Sequence, residues 1–143
     1  MQPNDLIKAA TKWAVADARI CAMALVGSHA RGEVRPDSDI DLIIVSKNPH
    51  ALLHDQSWTR QFGPGTISTI EDYGLVQSVR VFYDDGAEVE FGVTSLEWTN
   101  VPLDDGTVTV MLDGLRILYD PQDRLDRALA FGRENSRMRK FQM

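Results

Sequence analysis

A single cysteine, Cys21, rules out an intrachain disulfide. It lies in the apolar run 20–26 and reads as a buried, inert thiol. Long hydrophobic runs are missing as well. No stretch approaches the roughly 20 apolar residues that cross a bilayer, so no membrane partner is expected. Residues 1–12 hold no apolar signal region, because Gln2, Asn4, Asp5 and Lys8 interrupt it. The expectation is a cytoplasmic protein. Basic charge is scarce: 15 Lys and Arg stand against 21 Asp and Glu, for a net charge of −6. This argues against a protein that grips long nucleic acid through a basic face. It leaves a nucleotide site open, because a metal site is built from acids and the ion then supplies positive charge for phosphate. There is no internal repeat, low-complexity segment or linker. The chain does have 143 residues with a 43% hydrophobic share, enough for one domain with a real core.

Residues 5–19 read as a helix, with Leu6, Ala9, Ala10 and Trp13 at helical spacing and Asn4 or Asp5 as its cap. The run 20–26 is a buried strand ended by Gly27. Residues 27–38 read as a turn, a short helix or loop, and a second turn at 35–38. Residues 40–45 form a second strand, apolar almost throughout and so central in the sheet. A helix is expected over 49–61, with Leu52, Leu53 and Trp58 as its core face, stopped at 63–65. Two alternating strands, 76–83 and 87–93, flank Asp84-Asp85-Gly86, a hairpin signal. In the second, Glu88, Glu90 and Gly92 share one face, and Val89, Phe91 and Val93 the other. Residues 103–113 are ambiguous between helix and strand. Residues 116–119 read as a last strand. A helix follows over 121–132, with Leu125, Ala128 and Leu129 inward, then a mixed basic tail. The order gives a single α/β (α+β) domain over 1–143 with a mixed sheet, its core about 5–120 and a C-terminal helix and tail at 121–143.

The chemistry concentrates in Gly27-Ser28-His29-Ala30-Arg31-Gly32 and Ser38-Asp39-Ile40-Asp41-Leu42. A buried strand ends in Gly-Ser just before a helix start. Gly27 lets the backbone approach a ligand closely, and the backbone N–H groups with the Ser28 hydroxyl can hold a phosphate. The next strand begins with two carboxylates one residue apart. Alternation puts Asp39 and Asp41 on one face, their Cα atoms about 6.5–7 Å apart. Two acids side by side at the end of an apolar strand are costly unless a cation binds between them. Hard oxygen ligands suit Mg²⁺ or Mn²⁺.

Gly27-Ser28, ten intervening residues, then Asp39-Ile40-Asp41 resembles the signature of the DNA polymerase β-like nucleotidyltransferase superfamily. With Ala30-Arg31-Gly32 between, it is similar to the minimal nucleotidyltransferases and the antibiotic-modifying adenylyltransferases. The motif covers residues 25–45, and the hairpin and last strand extend the likeness to about residue 120. The resemblance implies an enzyme that moves a nucleoside monophosphate from an NTP, ATP by family habit, onto an acceptor. It implies Mg²⁺ at Asp39 and Asp41, and nucleotide binding at Gly27, Ser28, Arg31 and Ser38. Arg31 either binds phosphate or braces the loop. The family also needs a third carboxylate on a neighbouring strand, as metal ligand or general base. Glu90 is the choice here and Glu88 the alternative; Asp84 and Asp85 read as turn residues.

Other residues have plainer readings. His29 is structural or solvated. His50 and His54 stand one helical turn apart on a polar helix face rather than as zinc ligands. Trp98 packs at the edge of the core or stacks on an acceptor. Arg133, Arg137, Arg139 and Lys140 form a solvated tail or dock a partner. Three functions fit: transfer to a small-molecule hydroxyl, with a homodimer completing the pocket; an antitoxin that binds or nucleotidylates its toxin partner; or a nucleotide-binding module without catalysis. The acceptor is not specified by the sequence.

Overall fold

Two continuous apolar strands form the middle of the sheet. In the computed structural model, which describes residues 2–141 and side chains through residue 136, β1 (Ile20–Val26) is buried along its whole length. It pairs antiparallel with β2 (Ile40–Ser46), and β2 is flanked on both sides, as its apolar sequence requires. On the far side β2 runs parallel to β6 (Glu88–Thr94). The expected hairpin joins β6 to β5 (Val76–Tyr83), closed by bonds from Tyr83 N to Ala87 O and from Gly86 N to Tyr83 O. β7 (Arg116–Tyr119) covers the outer edge of β1. Two short strands, β3 (Gly65–Ile67) and β4 (Glu71–Asp72), pair with β5 and bring the sheet to seven.

Helices cover both faces. On one face lie α1 (Pro3–Ala16), α3 (Pro49–His54) and a 3₁₀ helix at Ser57–Phe62. On the other lie a 3₁₀ helix at Leu96–Thr99, α4 (Asp105–Leu112) and α5 (Arg124–Phe141). Leu125, Ala128 and Leu129 of α5 join the core, packing with Cys21, Ala22 and Ala24 of β1. Cys21 is buried and free. A register shift between Ile20 and Ala22 lets Cys21 and Ala22 serve the same face. No helix among the described residues is long and apolar enough to cross a membrane.

Several boundaries differ from expectation for local reasons. α1 starts at Pro3, whose missing N–H costs nothing in a first turn, and neither Asn4 nor Asp5 caps it. The expected helix 49–61 breaks at Asp55, whose carboxylate accepts from Ser57 N at 3.0 Å. Trp58 donates its Nε1–H to Leu52 O at 2.9 Å and ties the two halves together. The ambiguous segment 103–113 is helical because Asp104 caps it, accepting from Thr107 N at 2.9 Å. α5 runs through Gly132 into the expected tail. Arg133 is exposed, while the side chains of Arg137, Arg139 and Lys140 lie outside the described residues.

Candidate active site

The Gly-Ser turn leads from β1 into a five-residue helix, α2 (Gly27–Arg31), which Gly32 ends in a left-handed conformation. Gly27 has φ +73°, and a Cβ there would collide with Oδ2 of Asp41. The glycine is thus required twice, by its backbone angle and by the carboxylate beside it. The chain then turns at 35–38, where Ser38 N donates to Arg35 O (3.0 Å) and Ser38 Oγ accepts from Arg35 N (2.8 Å). Ser38 therefore closes the turn that delivers Asp39 to β2. Arg31 pairs with Glu33 at 3.3 Å and lays its stem against Gly114, a bracing arrangement, and its side chain remains 38% exposed.

The parallel pairing of β2 and β6 sets Asp41 opposite Glu90. Asp39, Asp41 and Glu90 each present a carboxylate oxygen within 4.8 Å of the others; among the described residues no other group of three could hold a metal ion. Glu88 does not join it; its Oε1 is taken by Arg80 at 2.6 Å. Of Asp41, Oδ1 is buried with no hydrogen-bond partner. Burial, and then the neighbouring charges of Asp39 and Glu90, push the Asp41 carboxyl up to about 8. A buried carboxylate oxygen without a donor, beside two more acids, is a ligand set that fits a hard divalent cation.

Arg80 is the residue that the sequence reading missed. It lies opposite Glu90 on β5 and pairs with Glu90 (3.0 Å), Asp39 (3.2 Å), Glu88 (2.6 Å) and Glu71 (3.5 Å). The first of these acids to matter, Glu88, holds the guanidinium even further above its ordinary value. Its signal was available: the hairpin turn at 84–86 fixes the register that places residue 80 across from residue 90.

Asp41 and Glu90 also border a cavity of about 370 Å³, between the sheet and α4, with Trp98 in its wall. Trp98 is buried. His50 and His54 are exposed and stack on each other at 6.1 Å, the polar face expected of them. His29 is half-buried, and its Nε2 has no partner among the described residues.

A family profile described as streptomycin adenylyltransferase matches residues 2–133. The chain belongs to that family. No curated protein matches it. Among solved structures, an aminoglycoside 6-adenyltransferase from Bacillus subtilis is similar at 14% identity and TM-score 0.55, over 68% of this chain. The match covers 36% of that enzyme, so the chain spans about a third of its length. Cid1 poly(U) polymerase follows at 11% identity and TM-score 0.41, over 78% of this chain and 35% of its own. The likeness to the Bacillus enzyme shows a shared nucleotidyltransferase fold, the α/β sheet flanked by helices that the sequence predicts.

Proposed function

We propose that this family domain is a Mg²⁺-dependent nucleotidyltransferase that moves AMP from ATP to a hydroxyl of a small molecule or protein. The observation that carries this reading is the convergence of Asp39, Asp41 and Glu90 beside the Gly27 turn, with one Asp41 oxygen buried and unpartnered. Asp39, Asp41 and Glu90 hold the metal, which, when bound, neutralises charge at the phosphates. Gly27 and Ser28 take the β- and γ-phosphates, and Arg31 and Ser38 complete the nucleotide-binding loop. Glu90 accepts the proton of the acceptor hydroxyl. The hydroxyl oxygen bonds to the α-phosphorus, the α–β bridge breaks, and pyrophosphate leaves with the bond's electrons. Residues 1–143 act in this reading as one domain, in the cytoplasm, where a free thiol such as Cys21 is at home.

Thermal melting with Mg²⁺ and each NTP tests this, comparing wild type with Asp39→Asn/Asp41→Asn. Ligand at about 100 times its Kd adds about 2.7 kcal/mol, several degrees in a domain of this size. A metal-dependent shift with ATP that the double variant loses is expected. An unchanged melt with every NTP removes the proposal.

A further inference from the structure

The cavity at the carboxylate cluster has a lining unlike that of a phosphate or sugar site. Val26, Ile43, Val76, Trp98 and Val110 supply its walls. Ile43 and Val76 close over Gly92, where a Cβ would stand 2.9 and 3.0 Å from them, so the floor is apolar and smooth. At the rim, Tyr73, Leu75 and Val110 leave 59%, 41% and 37% of their surfaces in solvent. Among the described residues, the charged groups on the lining, Asp41, Glu90 and Asp104, are all acids, with no Lys, Arg or His. The Thr107 hydroxyl already donates to Asp104 at 2.9 Å.

These features select an occupant. An anionic group is repelled. A polycationic aminoglycoside carries hydroxyls and ammoniums over its whole body, and these apolar walls would leave most of them unpaired, at a cost of about 1–3 kcal/mol each. A nucleobase needs donors as well as acceptors, and the lining is poor in free donors. A neutral apolar ring fits the walls, and a hydroxyl on its edge reaches a carboxylate that accepts its proton. We propose that this cavity is the acceptor subsite and that it takes the apolar, single-ring body of a hydroxyl-bearing acceptor, presenting the hydroxyl to Glu90 and Asp41. The inference rests on the nucleotidyltransferase reading. The transfer it serves is balanced as above: the ring hydroxyl's oxygen joins the α-phosphorus of the NTP, its proton passes to Glu90, and pyrophosphate leaves.

The probe is p-cresol, followed by ligand-detected NMR on the whole chain. Wild type is expected to bind it saturably, and Val110→Trp, which fills the mouth from an exposed helix position, at least tenfold more weakly. Leu75→Trp does the same from the opposite rim and serves where Val110→Trp is unfolded. The ATP–Mg²⁺ melting shift should persist in the folded rim variant, and streptomycin at equal concentration should not displace the probe. Absence of saturable binding, or displacement by streptomycin, overturns the proposal. Displacement by ATP–Mg²⁺, or loss of the ATP shift in a folded rim variant, assigns the cavity to the nucleobase and overturns it as well. Probe binding in a wild type that shows no shift with any NTP sinks the nucleotidyltransferase reading instead, and with it the acceptor role, while the apolar binding itself stands.

Discussion

The two faces of the sheet are filled differently. On the α1 face, Trp13 stacks on Trp58 with ring centres 5.0 Å apart and planes 8° from parallel. Phe62 meets Trp13 edge-on at 5.9 Å, and Phe91 meets Trp58 edge-on at 5.0 Å. On the α4 face, Trp98 has no ring partner among the described residues, and a cavity of about 370 Å³ lies beside it. The same strands serve both. In β6, Phe91 points to the first face and Glu90 and Gly92 to the second. Aromatic packing thus anchors the strands from behind, and the acids on their other side can crowd without unfolding the protein. Substitutions on the first face should lower stability and spare the site; those of the metal-facing acids on the second should do the reverse.

The largest expected effect is on the packed face. Phe91 is fully buried, and Phe91→Ala should cost about 3–5 kcal/mol, read as a lower urea midpoint. Molecules that remain folded should keep the metal-dependent nucleotide shift. A loss under about 1 kcal/mol would mean that the aromatic stack is not the anchor described.

Asp41→Asn should invert that pattern. Transfer should fall on the order of a hundred- to a thousandfold, about 3–4 kcal/mol in the barrier, with the fold retained. Its pH signature has a definite sign. Burial foremost, then Asp39 and Glu90, raise this carboxyl from 3.8 to about 8, so the folded state keeps a proton that the unfolded chain releases. The stability that this carboxyl contributes to the metal-free protein is therefore full below about pH 4 and falls as pH rises towards 8, by at most about 1.4 kcal/mol per pH unit. Urea titrations across that window should show the decline in wild type and a flatter line in Asp41→Asn. An equal slope in both would place the perturbed group elsewhere.

The difference between the faces was partly legible in the residues. β1, β2 and the hairpin declare themselves by continuous apolarity or strict alternation, and that alternation alone put Glu90 and Gly92 opposite Phe91. The sequence marks Gly27 only as a place where a ligand can come close to the backbone; that the Asp41 carboxylate stands where a Cβ would sit appears only in the fold. β3 and β4 were not legible: they are two or three residues long and exist through backbone pairing to β5. Gly132 is the expected end of the last helix, yet it lies within α5, facing Leu103 and Val108. The cavity depends on how α4 docks, a tertiary distance that no sequence period encodes. Arg80 is one basic residue in an alternating strand, and its meaning appears only when the register brings four acids around it.

That arginine gives the smallest and sharpest test of the division. Four carboxylates surround one guanidinium, so the cluster holds more negative charge than Arg80 can offset. Arg80 also occupies oxygens of Asp39 and Glu90, two of the three acids assigned to the metal. In the metal-free protein it is the resident counter-ion of the site. Arg80→Gln should therefore destabilise the metal-free protein, because it leaves like charges facing one another. It should also tighten Mg²⁺ binding several-fold, within about 1.4 kcal/mol, by freeing those oxygens and removing a nearby positive charge. Calorimetric titration with Mg²⁺ alone separates this from any effect on nucleotide. Weaker Mg²⁺ binding in a folded Arg80→Gln would assign the opposite role: the guanidinium would then be aiming Glu90 at the metal rather than competing for it, and the α4 face would be preorganised rather than merely held in balance.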